Sequence, residues 1–305
     1  MSTTIDGVVL DHVAVAVEHW PDAWPRYATE LGGRWVSGGL NVGFAPAQLR
    51  YAGGGRVEVL QPWRPEDNPF LRRFLDRHGP GPHHLTFKVP DIEAALALAG
   101  EAGFDPVGVD LSHEEWMEAF LHPRQATGIV VQLAQAAHAW ASPPPEGFPA
   151  AGPGAPASLV RATHVVADLD LALGLFARLL GGRPGPRATG PDGTWECVDL
   201  TWAAPPVLRL VAPVPRGATA ERPGAPPPVT AWLGGRPGRL HHLAFAADGP
   251  PPARPSGGGD GAPSALPGVL PADDAWGTVA PQDNLGTRLV LVRPAGSLED
   301  ETSPP

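Results

Sequence analysis

The sequence predicts an α+β protein of two fused barrels built from four βαβββ modules, and three observations predict it. The chain repeats itself on either side of a proline-rich stretch, and a weaker repeat runs inside each half. Repeats open on an alternating strand led by histidine and run into a helical pattern. The 305 residues suit about two domains, and a hydrophobic fraction of 43% fills a core. The 38 glycines and 40 prolines crowd into a few stretches, so they mark linkers and not the whole fold.

Residues 11–33, DHVAVAVEHWPDAWPRYATELGG, read as strand, helix and a Gly-Gly stop, glycine being the usual terminator past a last helical turn. VEVLQP at 57–62 is that module's last strand. Asn68 and Pro69 open a short helix, FLRRFLDRH, closed by Gly79. The second module starts at HHLTFKV (83–89) and continues into a helix with Asp91 as N-cap. SHEE at 112–115 has capping-box spacing ahead of the strand around EAFLHP, and GIVVQLA (128–134) closes the module. The second half answers with THVVADLDLALGLFARLLGG (163–182), LRLVAP (208–213), PGRLHHLAFA (237–246) and GTRLVLV (286–292). In its last module a Pro/Gly-rich stretch takes the helix's place. The expected division is a metal-bearing domain over 1–138 and a linker over 139–159. A degenerate domain follows over 160–293, with an insertion at 248–271, and then a disordered tail at 294–305.

A net charge of −10 speaks against nucleic-acid or anionic-membrane partners. Cys197 is the sole cysteine, which excludes an intramolecular disulfide and reads as a small buried hydrophobe. The N-terminus lacks a signal-peptide pattern and no apolar run reaches membrane-spanning length, so the expectation is a cytoplasmic protein. Internal duplication supplies a barrel with its pairing partner, leaving monomer and homodimer both open.

The chemistry sits in matched pairs. His12 is followed 46 residues later by Glu58, and His84 is followed 48 residues later by Gln132. If the two modules pair edge to edge, all four side chains converge inside one barrel. Two imidazoles, a carboxylate and an amide oxygen suit one divalent ion among Zn, Co, Ni, Mn and Fe(II). The second half keeps His164 and His242 at similar spacing, but Arg209 and Val290 stand at the oxygen positions. A guanidinium there repels a dication, so that half reads as metal-free, with Arg209 pairing an internal Asp or binding an anion. Strand alternation puts His83 and His241 on the opposite face, without chemistry. His122 reads as a turn stabiliser and the tryptophans as packing.

These positions, together with FLHPRQATGIVVQL, resemble the vicinal-oxygen-chelate superfamily of glyoxalase I, extradiol dioxygenases, bleomycin- and fosfomycin-resistance proteins and methylmalonyl-CoA epimerase. The likeness covers residues 8–135 and, more loosely, 160–293, and the first half is most similar to the epimerase branch. It implies that His12, Glu58, His84 and Gln132 hold a divalent metal that chelates adjacent oxygens of a small-molecule substrate. Isomerase, epimerase or lyase chemistry would follow, with Glu58 as ligand and catalytic base. The chain departs from the family in placing an amide, Gln132, on the last strand and in having no Asp or Glu from 32 to 57. The strand preceding Glu58 offers instead Gln48, Arg50 and Tyr51 as substrate-binding residues. Two other readings stay open, an Fe(II) extradiol-type dioxygenase and a non-enzymatic drug-binding resistance protein.

Overall fold

The computed structural model describes residues 4–150, 155–215, 226–249 and 275–294. In the first half, β1 (Val9–Ala16) leads into α1 (Trp20–Ala23), which continues as π-helical turns over Trp24–Glu30. There follow β2 (Arg34–Gly38), β3 (Gly43–Arg50), β4 (Arg56–Trp63) and α2 (Phe70–His78). The next module is β5 (Gly81–Lys88), α3 (Ile92–Glu101), β6 (Val107–Asp110), β7 (Met117–Leu121) and β8 (Val130–Gln135). All eight strands form one mixed sheet, ordered β2-β3-β4-β1-β5-β8-β7-β6, in which the two modules join along antiparallel β1 and β5.

The second half begins with β9 (Ser158–Val166) and α4 (Leu169–Leu173), the latter extended by π-helical turns over Gly174–Leu179. Then come β10 (Arg183–Pro184), β11 (Ala188–Thr189), β12 (Trp195–Thr201), β13 (Val207–Pro213) and α5 (Pro228–Leu233). β14 (Gly238–Ala246), β15 (Ala275–Val279) and β16 (Leu289–Val292) complete a second sheet ordered β10-β12-β13-β9-β14-β16-β15, with β11 on β12. The expected α+β pair of barrels is what forms. From residue 250 on, the insertion expected at 248–271 lies outside the described residues, as do 151–154 of the linker and the tail from 295 on.

Local signals explain the elements. Asp91 and Asp168 cap their helices by accepting from Ala94 N and Leu171 N at 3.0 and 2.9 Å. Gly32 (φ 70°) and Gly181 (φ 66°) turn the chain out of the two π-helical stretches where an L side chain would be strained. The next residues, Gly33 and Gly182, then donate to the Tyr27 and Phe176 carbonyls at 3.0 and 2.9 Å. The SHEE segment opens no helix, because Ser112 is held by Asp110, whose carboxylate accepts from its backbone N–H and hydroxyl. His122 does stabilise its turn, accepting from Arg124 N at 3.2 Å. Cys197 is free and buried.

One face of each sheet, with the helices α1, α3 and α4, forms a core continuous across both halves. Tyr27, Phe87, Phe176 and Phe245 are fully buried in it. Rings meet across the junction: Tyr51 lies 4.9 Å from Phe245, and Phe87 lies 5.9 Å from Phe176. Among the described residues, the far face of each sheet packs one helix at one end. α2 sets Leu71 and Leu75 on Ala14, Ala16 and Leu60, while α5 sets Val229 and Leu233 on Val165 and Val211. Beside that helix the first sheet's far face carries polar side chains, whereas the second sheet's also carries an apolar cluster of Ala244, Val290 and Val292, and there the two sheets diverge.

His164 lies on the core side, its Nε2 donating to the Thr127 carbonyl of the other half at 2.9 Å. Burial pushes its pKa down from 6.5 to about 4. The unfolded chain therefore takes up this proton at a higher pH than the folded one. Stability present above pH 6.5 is lost as pH falls toward 4, by about 2–3 kcal/mol. The fall in urea midpoint between about pH 7 and 4.5 is expected to be smaller in His164→Gln than in the parent; an equal fall would refute the assignment.

Candidate metal centre

Register builds the site. On the far face of the first sheet, Glu58 of β4 and His84 of β5 both pair with Ala14 of β1. His12 of β1 pairs with Thr86 of β5, which in turn pairs with Gln132 of β8. Four central strands thus carry His12, Glu58, His84, Thr86 and Gln132 on one side in two adjacent rows. Glu58 Oε2 stands 3.5 Å from His12 Nε2 and 3.7 Å from His84 Nε2. One ligand atom from each of these three residues lies within 4.8 Å of the others, and all three side chains are buried. Gln132 Oε1 accepts from the Thr86 hydroxyl at 2.6 Å, and that hydroxyl is 2.9 Å from His12 Nε2.

Two bulges complete the arrangement and correct the simple alternation. The β1–β5 register shifts around Asp11 and again around His83, so each sits on the same face as its neighbouring histidine. Asp11 Oδ2 accepts from His12 Nδ1 at 2.8 Å, and the same carboxylate takes Arg56 at 3.1 Å and Lys88 at 3.3 Å. Contrary to the expected opposite-face placement, His83 meets His84 with the Nδ1 atoms 2.8 Å apart, and its ring lies 4.7 Å from Phe74 of α2. Both Nδ1 atoms are thereby occupied, which leaves Nε2 of His12 and of His84 turned to Glu58. Outer partners of this kind fix the ring orientation of a metal-ligating histidine.

The electrostatics follow from burial and these partners. Burial alone would lower the His12 imidazole, but Glu58 and Asp11 overcome it and raise the pKa to about 9. Burial works to raise Asp11, yet His12, Lys88 and Arg56 hold its carboxyl well below the ordinary range. Burial, then His83 and His12, keep His84 well below 6.5. Its Nε2 is buried and makes no hydrogen bond among the described residues. A neutral buried imidazole with an orphaned Nε2 beside a carboxylate and a second imidazole fits a divalent cation of the Zn, Co, Ni, Mn or Fe(II) type. Ligand bonds near ~2.0–2.2 Å require tips about as close as these.

Of the other expected site residues, Gln48 of β3 pairs with Glu58 and donates to its Oε1 at 3.3 Å. Arg50, on the same face of β3, is exposed at the strand's end. Tyr51 lies elsewhere: buried in the core, it donates its hydroxyl to the Tyr27 carbonyl at 3.0 Å. The residue that sequence reasoning passed over is Glu118 of β7. Its Oε2 accepts from Gln132 Nε2 at 2.6 Å and from Trp116 Nε1 at 2.7 Å. Burial pushes its pKa up against those two hydrogen bonds, with Glu58 adding to the rise. The available signal was alternation: in MEAFL, Ala119 and Leu121 are buried on the core side, which turns Glu118 toward the site.

The second sheet corrects the matching of histidines. His242 does occupy the place of His84, each facing the same position of the first strand, Thr163 and Ala14 respectively. Arg209 answers Glu58, since they pair with those same two residues, and Val290 answers Gln132. Arg161, however, and not His164, stands where His12 does, because it pairs with Ala244 as His12 pairs with Thr86. His164 points into the core. Arg209 makes the internal pair that its neighbourhood suggests, two bonds of 2.7 Å to Asp199.

Comparison with known proteins agrees with this architecture. Residues 11–120 match the family model described as the Glyoxalase/Bleomycin resistance protein/Dioxygenase superfamily. A variant of 4-hydroxymandelate synthase from Streptomyces coelicolor superimposes with a TM-score of 0.55 at 17% identity, covering 78% of this chain and 71% of that one. Methylmalonyl-CoA epimerase from Mycobacterium tuberculosis is 26% identical over 45% of this chain and 93% of its own, with a TM-score of 0.40. A hypothetical protein from Bacillus halodurans is 25% identical over 45% of this chain and 100% of its own, also at 0.40. No curated protein matches the chain. The first half thus carries the family match, over residues 11–120, and the two sheets share the fold of the vicinal-oxygen-chelate, or glyoxalase/bleomycin resistance protein/dioxygenase, superfamily that the sequence resembles.

Proposed function

We propose that the first barrel is a metal-dependent active site that moves a proton on a small substrate bearing adjacent oxygens, an isomerase, epimerase or lyase reaction. The observation that carries the reading is the buried Nε2 of His84, which makes no hydrogen bond among the described residues and is aimed at the Glu58–His12 pair. His12, Glu58 and His84 are the ligands, and Gln132 offers its Oε1 as the fourth. When bound, the ion supplies Lewis-acid stabilisation of negative charge developing on substrate oxygens.

The protein's own groups do the rest. Asp11 and His83 hold the two imidazoles in orientation, and Gln48 holds Glu58. Glu58, lying between both imidazoles, is committed to the ion, so the proton work passes from the expected Glu58 to Glu118. Both hydrogen bonds to Glu118 land on Oε2, so Oε1 takes and returns the substrate proton. Gln48 and Arg50, on the same face of β3, line the approach.

The test loads the full chain with Zn, Co or Mn and follows hydrogen exchange into acyl-CoA thioesters and hemithioacetals in deuterated water. Glu118→Gln is expected to keep its metal and lose about 10²–10⁴-fold in exchange rate. Exchange undiminished in that variant removes Glu118 from the mechanism. The two-His, one-carboxylate set also suits Fe(II) oxygen chemistry; oxygen uptake with a catechol under Fe(II), and no proton exchange, would select that reading instead. Drug binding that survives chelation, without turnover, would select a resistance protein.

A further inference from the structure

The proline-rich stretch between the two halves does more than span them. After β8 the chain meets the edge of the first sheet at β2, the strand that ends the sheet's order. A strand edge presents backbone groups that another segment can join. Ser142 answers three of them by itself. Its N–H donates to the Val36 carbonyl at 3.2 Å and its hydroxyl to the Gly38 carbonyl at 2.9 Å, while the Gly38 N–H donates to that hydroxyl at 2.9 Å. Trp35 Nε1 adds a fourth bond, to the Ser142 carbonyl at 2.8 Å.

A second anchor follows six residues on. Phe148 packs edge-on against Trp24 and Trp35, with ring centres 5.1 and 5.4 Å away. Those two rings and Trp20 stand 6.0–6.5 Å from one another and form an aromatic wall next to β2. A turn delivers the ring: Phe148 N donates to the Pro145 carbonyl at 3.1 Å, across Gly147 at φ 78°, the conformation that a turn of this kind reserves for glycine. Between the anchors, Pro143, Pro144 and Pro145 fix their own φ, so the bridge gives up little freedom on docking. Pro143, Pro144, Glu146 and Gly147 are exposed, so the hold rests on Ser142 and Phe148.

The edge and the wall together read a small hydroxyl residue, a run of prolines and an aromatic ring. Aromatic-lined grooves take proline-rich peptides by the same means, because such peptides are stiff before they bind. We propose that the β2 edge with Trp24 and Trp35 is a recognition surface for proline-rich segments of this pattern, and that residues 142–148 occupy it as a tethered self-ligand. The tether keeps the segment at ~mM effective concentration, so a partner gains the surface only when the segment lets go. This inference rests neither on the metal centre nor on the second barrel.

The test combines the full chain with a synthetic peptide of residues 140–150, read by calorimetry and by hydrogen exchange at the Gly38 amide. Phe148→Ala is expected to speed that exchange by about tenfold or more. It should also bind the peptide at least about tenfold more tightly than the parent, whose surface is already filled. Bound peptide should return Gly38 exchange to the parent's rate, and the same peptide with Phe148→Ala should bind neither chain. Should the Phe148→Ala chain fold poorly by circular dichroism, Gly147→Ala replaces it, since its Cβ meets no atom and strains only the turn. Equal peptide affinity in parent and variant would overturn the proposal. So would binding that survives loss of the peptide's ring, no binding to either variant, or Gly38 exchange unchanged in both.

Discussion

Glu58→Ala is expected to purify with almost no metal and to bind added Zn or Co more than about 100-fold more weakly than the parent, beyond the ~10–100-fold cost of losing an outer partner. The carboxylate is the one negative ligand of the set, and its Oε2 is within 3.7 Å of both imidazole tips. Without it, two imidazoles and an amide face a dication with no charge to offset its desolvation. Glu58→Gln keeps the volume and the Gln48 contact, so it isolates charge from shape; its loss should be smaller but in the same direction. Equilibrium dialysis with metal analysis, and competition against a chelator, read the effect. Parent-like metal content in Glu58→Ala would end the assignment of this residue as a ligand. The Asp199–Arg209 pair in the second barrel predicts the complementary result, no metal held there in either protein.

Gly128→Ala is expected to destabilise the chain by about 2–4 kcal/mol and lower its melting temperature by roughly 3–6 °C. Gly128 adopts φ 88°, where a side chain is strained, and a Cβ there would collide with the backbone of Gly238 in the other half. Gly286 repeats the design with φ 76°, its Cβ position blocked by the Pro80 carbonyl next to Gly81. The glycines that open GIVVQLA and GTRLVLV are thus two of the places where the halves touch backbone to backbone. Because both contacts lie at the junction, Gly286→Ala should cost a similar amount. Gly100→Ala is the control: within α3, with no atom in reach of its Cβ, it should stabilise by about 0.5–1 kcal/mol. A Gly128→Ala protein melting with the parent would show that the halves separate without cost.

The fold was legible because its signals are local. Asp91, Asp168, the Gly-Gly stops and the alternating strands act within a few residues, and duplication writes each of them twice. Spacing likewise singled out His12, Glu58 and His84, whose tips the structure holds within 4.8 Å. What escaped were features set by register. Alternation assigns faces only while every residue pairs, and the bulges at Asp11 and His83 break that count, turning both toward the site. The same break hid the true counterpart of His12: aligned by letters, His164 matches it, whereas aligned by hydrogen-bonded partners Arg161 does. Glu118 was hidden differently, since nothing in its own strand marks which of the neighbouring side chains its carboxylate will meet.

By itself the sequence determined the duplicated α+β architecture, the helix ends and the residue types available to hold a cation, all consequences of short-range sterics and side-chain chemistry. Only the tertiary structure decided which neighbours orient the two imidazoles, that Glu118 joins Gln132, and that the second barrel gathers arginines instead of ligands. Those outcomes depend on how strands slip past one another, and a slip of one residue sends a side chain to the opposite face of the sheet.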